Sequence, residues 1–481
     1  MTLAPPQAGS RPHGGLVEPR PLRNPETDSP PFMAARAWWL VAMNVLIPGS
    51  AQVLAGNRRL GRFGLGATLF GWLLAIAALV TALTARGLFV TLISNWFVLT
   101  FLQVLLIGYL LLWIVLTFDT LRLVRLVRLP PLKRVLVPVA ALLVLGLVGG
   151  AAASAASAIG AGRGALELVF GNSGPSLPPS DGYYNVLLLG ADSGEGRDSM
   201  RFDSISVVSV NADTGAVIIT GIPRDMPHFP FAEGPMRDLY PEGHQGHRDS
   251  VCGWGSGINQ LRTEVDLCRN EYNGEGLYPE AELHGSTPGV EATKDAVEGI
   301  LGIEIPYYVF IDMHGFAELI DALGGVEITV EQRLPKGGGP GPNNLPVEEW
   351  AIGWIEEGTQ RMDGDTAQWY ARSRYTTSDW DRMKRQRELQ IAILDQFTPQ
   401  NVLLRFNQVV EAGSAMVQTD LPKDKLPEFF DLVLGAKEQP VTTIELTPDG
   451  GVSDTDPDYA HVRWLVQQAL HPPTPEPSEA P

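Results

Sequence analysis

Tyr184-Asn-Val-Leu-Leu-Leu-Gly190 is an apolar run closed by glycine, and it reads as a buried strand. Asp203-Ser-Ile-Ser-Val-Val-Ser-Val-Asn211 alternates and is rich in β-formers. Ala212-Asp-Thr-Gly215 then turns, and Ala216-Val-Ile-Ile-Thr-Gly-Ile222 returns as a strand, which is a hairpin signal. Further on, Thr287 can cap a helix that Pro288 opens, with Val290, Ala296, Val297, Ile300 and Leu301 near helical spacing. Pro306-Tyr-Tyr-Val-Phe-Ile-Asp312 reads as strand, 313–323 as helix and Gly325-Val-Glu-Ile-Thr-Val330 as strand. Helices are predicted at 363–371, 379–397 and 424–436, with a last strand–helix pair over 441–470. The βαβ-like alternation predicts an α/β domain over 183–470, three-layer α-β-α with a mixed central sheet covered on both faces.

Outward from this domain the composition changes. The 481-residue chain has a net charge of −18, but residues 1–158 hold 13 Lys+Arg against 4 Asp+Glu, while 159–481 hold 23 against 50. Residues 1–36 are Pro-rich and read as a disordered tail. Four uncharged runs follow, 37–57, 63–85, 87–118 and 135–162; a membrane helix needs ~20 apolar residues, and the last three satisfy this. The first contains Asn44, Pro48, Gly49, Ser50 and Gln52, so a re-entrant or interfacial hairpin competes with a full span. Arg58, Arg59 and Arg62, and later Arg122, Arg125, Arg128, Lys133 and Arg134, place the loops 58–62 and 119–134 on the cytoplasmic side. Everything after about residue 163 is then extracytoplasmic, with 163–182 as linker and 471–481 as a Pro-rich tail. The expected fold class is an N-terminal α-helical membrane region, 37–162, plus an extracytoplasmic α/β domain.

Cys252 and Cys268 both fall in the outer half, where an even pair reads as a disulfide contributing roughly 3 kcal/mol by loop closure. They lack the CxxC spacing of a metal site, and neighbouring His244 and His247 read as a solvated loop. The acidic balance excludes a general nucleic-acid binder, so no nucleic acid is expected as a partner.

Charge of the opposite sign is concentrated in four segments: Gly190-Ala-Asp192, Arg201-Phe-Asp203, Ile222-Pro-Arg-Asp225, and Tyr370-Ala-Arg-Ser-Arg374 with Asp379-Trp-Asp-Arg-Met-Lys-Arg-Gln-Arg387. In open α/β sheets ligands sit beyond the carboxyl ends of strands, where Asp192 and Arg224 are predicted. Arg382, Lys384 and Arg385 taken alone could form one wet helix face. Five arginines within sixteen residues of an acidic domain point instead to an anion, since the guanidinium fork suits phosphate. Carboxylates beside them suit Mg²⁺ (or Mn²⁺), which shares oxygen ligands with substrate phosphates. Together these are the parts of a phosphoryl-transfer site. There is no P-loop and no dinucleotide fingerprint.

These segments resemble the LytR-CpsA-Psr family of membrane-anchored envelope glycopolymer transferases. The resemblance rests on Leu189-Gly-Ala-Asp192, Arg201-Phe-Asp-Ser204, Ile222-Pro-Arg-Asp225, Tyr308 to Phe316 with Leu323-Gly-Gly-Val326, Tyr370 to Arg374, and Asp381-Arg-Met-Lys-Arg-Gln386. It implies transfer of a glycopolymer from a polyprenyl-pyrophosphate carrier in the lipid bilayer to a hydroxyl of peptidoglycan. Asp192 and Asp203 would hold Mg²⁺. Arg201, Arg224, Arg372, Arg374, Arg382 and Arg385 would neutralise phosphate oxygens, with Gln386 supporting. Asp225 or Asp203 would be the general base. The prenyl chain would need an apolar pocket, which strand runs such as 186–189 and 205–210 could line. The family's Lys-(I/L)-Asn is replaced here by Gly257-Ile-Asn259, and 227–285 is long. A prenyl-pyrophosphate hydrolase and a non-enzymatic regulator that binds the lipid carrier use the same parts and stand as alternatives.

Overall fold

Residues 22–23, 29–171, 174–191, 201–246, 257–268, 274–341, 343–396, 417–437 and 439–472 are described by the computed structural model. Asp192, His247, Cys252 and residues 473–481 lie outside these residues, as does the Cys268 side chain, and with them the expected disulfide. The chain divides into two units, one of residues 1–80 with 101–157 and one of 81–100 with 158–481.

Helices α1 (Pro30–Leu46), α2 (Ser50–Ala55), α3 (Arg58–Thr84), α4 (Arg86–Ser94), α5 (Trp96–Val124) and α6 (Pro131–Phe170) make up the N-terminal part. Helix α1 starts inside the stretch read as tail, and α6 runs eight residues into the stretch read as linker. Among the described residues, three helices are long and apolar enough to cross a membrane: Arg58–Thr84, Trp96–Arg128 and Pro131–Phe170.

The first apolar run supplies no such helix; it is the broken pair α1–α2. Its break is stabilised from neighbouring helices, as backbone polar groups in an apolar medium require. Thr68 Oγ1 donates to Pro48 O (3.1 Å), and Gln52 Nε2 donates to Leu116 O (2.8 Å) and Thr120 Oγ1 (2.9 Å). Asn44 Nδ2 reaches Thr117 Oγ1 (3.0 Å). Gly49 has φ +96°, and a Cβ there would lie 2.4 Å from Leu65 N, so only glycine fits this crossing.

In the second unit the predicted hairpin forms. Strand β1 (Tyr183–Ala191) pairs antiparallel with β2 (Phe202–Asn211), and β2 with β3 (Val217–Ile222). Thr287 caps α7 (Pro288–Leu301), which leads into β4 (Tyr307–Asp312), parallel to β1. Helix α8 (Met313–Leu323) and strands β5 (Val326–Val330), β6 (Leu334–Lys336), β7 (Gly353–Ile355) and β8 (Gly358–Met362) follow. Then come α9 (Gly364–Arg372), α10 (Asp379–Gln396), β9 (Val417–Thr419), α11 (Leu426–Ala436), β10 (Val441–Glu445) and α12 (Tyr459–Leu470).

The central sheet is mixed, in the order β10-β3-β2-β1-β4-β9. Alternate side chains of its strands face opposite layers. Leu187, Ile205, Val207 and Ile218 pack with Val297 and Ile300 of α7 and Val462 and Val466 of α12. On the other face Val208, Val210, Val217 and Ile219 meet α10 and α11. One strand departs from the expected alternation: β5 leaves the central sheet and pairs antiparallel with β8. Gly324 and Gly325, both at positive φ, turn the chain away there, and a Cβ on Gly325 would sit 2.6 Å from Met362 O.

Away from the strand ends, α7 carries partly buried carboxylates. Burial pushes Asp295 up to about 6, with Glu291 reinforcing the shift, and Glu298 up to about 7, with Asp295 and Glu304 reinforcing it. Raised acids favour the folded state when protonated. Their contribution is therefore full below the unfolded carboxylate range and is lost as pH rises through 6 and 7. Melting of the full-length protein is expected to shift upward as pH falls from 8 to about 5.5, and Glu298→Gln is expected to flatten that slope, removing roughly 1–3 kcal/mol of the stability change across this range. An unchanged slope in Glu298→Gln would contradict the assignment.

Candidate functional site

The site is assembled at the carboxyl end of β3 and the start of β2. In the β1–β2 ladder Gly190 faces Ser204 while Ala191 faces Phe202, so Asp203 is an extra residue, a β-bulge. Bulges re-aim side chains, and this one delivers Asp203 to Arg224. Pro223 ends β3 and lets Arg224 and Asp225 turn off the sheet edge.

Arg224 is the centre. Its Nη1 donates to Asp203 Oδ1 at 2.5 Å, its Nε lies 3.3 Å from Asp225 Oδ2, and its Nη2 lies 3.7 Å from Asp379 Oδ1. Burial opposes the guanidinium charge, but these three carboxylates outweigh it and hold the Arg224 pKa above its ordinary value. Asp379, in the first turn of α10, is a second centre: Arg382 Nη2 donates to it at 2.9 Å, and Arg374 Nη1 lies 3.8 Å away. Arg382 is almost fully buried, which lowers its pKa, and the nearby Arg224 charge lowers it further.

Arg385 and Gln386 are placed differently. Arg385 Nε donates to Tyr370 O (3.0 Å), and its Nη2 donates to Ser373 O and to Thr377 Oγ1 (3.2 Å). Gln386 Nε2 reaches Ala371 O (3.4 Å). These carbonyls are the orphan acceptors at the end of α9. Both side chains thus secure the turn that presents Arg374, which is about half exposed. The wet-face reading fails for Arg382 and Arg385, both buried because they bind Asp379 and backbone carbonyls; it holds for Lys384, which pairs with Glu331. Arg372 lies over the Trp369 ring at 5.2 Å, and Arg201 is exposed just before β2.

The reading of His244 as solvated is corrected. It is buried and stacks on Phe229, and its Nε2 is 2.7 Å from Glu264 Oε2; Tyr240 holds the other oxygen at 2.6 Å. Aromatic neighbours and a carboxylate partner remove this imidazole from water. Gly257 also has a reason: a Cβ there would lie 3.2 Å from Asp225 Cα, while Asn259 N donates to Arg224 O at 2.9 Å. The backbone is pressed against the Arg224–Asp225 turn where the family's lysine would stand.

Beneath the cluster lies an apolar cavity of about 490 Å³ between the sheet and α8, α10 and α11. Leu188, Val208, Ile311, Leu389, Ile393 and Val433 are among its walls, and Gly190, Ser204 and Gln386 mark its end nearest Asp203. From Ser204 to Val210 it follows β2 for roughly 20 Å at ~3.3 Å per residue.

The fold and this site define a membrane-anchored α/β protein with an arginine–carboxylate centre set over an apolar cavity. Residues 276–468 match the LytR_cpsA_psr family, a range that includes Arg372 to Gln386 and begins after Asp203 and Arg224. It is 27% identical over 269 residues to the polyisoprenyl-teichoic acid–peptidoglycan teichoic acid transferase TagU of Halalkalibacterium halodurans, covering 56% of this chain and 70% of that one. It is 24% identical over 358 residues to the cell wall biosynthesis protein LcpA of Corynebacterium glutamicum, covering 70% and 63%. Biofilm regulatory protein A of Streptococcus mutans is 24% identical over 260 residues, and the chain spans about half of its length, 52%. The crystal structure of TagV from B. subtilis is similar at a TM-score of 0.40 and 20% identity, covering 60% of this chain and 97% of that one.

Proposed function

We propose that this protein moves a glycopolymer from a polyprenyl-pyrophosphate carrier to a hydroxyl of peptidoglycan, with the catalytic domain outside the cytoplasmic membrane. The observation that carries this is the junction of two environments, an arginine cluster for the pyrophosphate and an apolar cavity directly beneath it for the chain. The names of the TagU relatives support the same substrate pair.

In this reading Arg224, Arg374 and Arg382 take the pyrophosphate oxygens, and Arg201 and Arg372 approach from the rim. Asp379 holds Arg224, Arg374 and Arg382 together until substrate arrives. The acceptor hydroxyl attacks the glycan-side phosphorus. The bond to the bridging oxygen breaks, polyprenyl phosphate leaves, and the hydroxyl proton passes to a carboxylate. Asp225 serves best as that base: its side chain is 68% exposed and held at 3.3 Å, whereas Asp203 is 36% exposed and held at 2.5 Å.

Asp203, with Asp192, offers the hard oxygen ligands that Mg²⁺ or Mn²⁺ requires. Two carboxylates leave the rest of an octahedral shell for water and substrate phosphates, the usual arrangement for this cation. Such an ion, when bound, would supply positive charge to the pyrophosphate oxygens.

The test uses full-length protein in lipid with a prenyl-pyrophosphate-linked glycan, with and without peptidoglycan. Turnover is expected only with acceptor, and Arg374→Ala is expected to reduce it by about 10²-fold. Acceptor-independent release would favour the hydrolase, and unchanged envelope phenotype after Asp203→Ala would favour the regulator.

A further inference from the structure

We propose that α4 and α11 form the lipid entry to the apolar cavity, with α4 holding α11 at the bilayer boundary so that an isoprenoid chain passes between bilayer and cavity along their seam. The inference rests on the reading of the carrier as polyprenyl-linked.

Helix α4 is nine residues long, and single residues, Ala85 and Asn95, join it to α3 and α5. Nine residues rise about 14 Å, too little to cross a bilayer, whereas the helices on both sides are long and apolar enough to do so. Chain connectivity therefore fixes α4 at the end of two spans. Its two sides differ. Leu88 and Leu92, one turn apart, are exposed, as are Trp96 and Phe97 just beyond it. Apolar and aromatic side chains at the end of a span suit the lipid interface.

The opposite side, with buried Val90, packs on α11. The approach is close at Gly87, where a Cβ would lie 3.2 Å from Asp431 Oδ2. Helix α11 in turn faces inward: Val433 and Ala436 wall the cavity, and Phe429 meets Tyr184 and Tyr307 edge-on. Further ties join the same unit. Lys423 Nζ is 3.6 Å from Glu167 at the end of α6, and Arg163 donates to Thr100 Oγ1 at 2.8 Å while lying over Trp96.

Energetics require such a path. Each methylene exposed to water costs about 0.8 kcal/mol, so a long prenyl chain cannot leave the bilayer through solvent. A helix anchored at two spans and packed on the cavity wall gives it a dry route, and gives the additional spans a task that one anchor could not perform.

The experiment uses full-length protein in phosphatidylglycerol–phosphatidylethanolamine vesicles with two substrates: a glycan on a long, bilayer-embedded prenyl pyrophosphate and the same glycan on a short, water-soluble one. In Leu88→Asp/Leu92→Asp, long-chain turnover is expected to fall by about tenfold or more, while short-chain turnover stays within about twofold. Equal loss on both substrates, or loss on neither, overturns the proposal. Failure of the unsubstituted protein on both substrates instead removes the transferase reading, and this inference with it. Independently of activity, a spin label on Leu92→Cys, measured against labelled unsubstituted protein, is expected to report lipid rather than water; a water-exposed label overturns the proposal.

Discussion

Arg224→Ala is expected to lower transfer by about 10²–10³-fold, the cost of removing one preorganised charge-stabilising donor. The structure makes this residue more than one contact among several. Asp203, Asp225 and Asp379 approach its guanidinium from three directions. Without it these carboxylates face one another and the incoming phosphate with one cation fewer. Arg224→Lys is expected to recover little, because an ammonium lacks the planar fork that spans several partners. The loss should fall on kcat as well as KM, since charge moves between phosphate oxygens during transfer. Initial rates across substrate concentration check this. A loss of less than about threefold, small against the donor effect, would place Arg224 outside the reacting centre.

The second large effect is on stability. Arg387 is buried on α10, with its Nε 3.8 Å from Glu445 Oε1 on β10. Burial pushes Arg387 down to about 10 and raises Glu445. Among the described residues neither Glu445 oxygen has a hydrogen-bond partner, whereas Arg387 Nη1 continues to Gln390 Oε1 (2.9 Å) and Gln390 Nε2 to Ser206 Oγ (3.0 Å). Arg387→Met would strand a partly buried carboxylate and is expected to cost about 3–5 kcal/mol; Arg387→Met/Glu445→Leu is expected to recover most of it. Thermal unfolding of the full-length variants measures both. If the double variant were as unstable as the single one, the loss would lie in packing rather than in the uncompensated charge.

Strands β1 to β5 and β10 and helices α7 to α12 were legible because each carries a period, a cap or a turn, whereas the short strands β6 to β9 carry too few residues to show one. The Thr287 cap and the 313–323 helix are examples, and both stand as expected. The three long apolar helices were legible from the length and apolarity of their runs. What escaped was set by tertiary contact. Nothing local marks Asp203 as a bulge, since the skip exists only in its pairing with β1. Arg382, Arg385 and Arg387 share one helical segment yet bind a carboxylate, backbone carbonyls and the partly buried Glu445, because helical rotation points them at different layers. Asp379 stood in a quoted segment, but its part in joining three arginines needs α9, α10 and the β3 turn together. The burial of His244 depends on Glu264, twenty residues away. Helix α4 read as part of one long apolar run, because its exposed face is as hydrophobic as the spans beside it.

The central claim is tested most directly by following one atom. With the glycan-side phosphorus of the lipid-linked substrate labelled, full-length protein in lipid is expected to move the label into peptidoglycan and release unlabelled polyprenyl phosphate, both only when acceptor is present. Label appearing as free glycan phosphate at the same rate with and without acceptor would contradict the account.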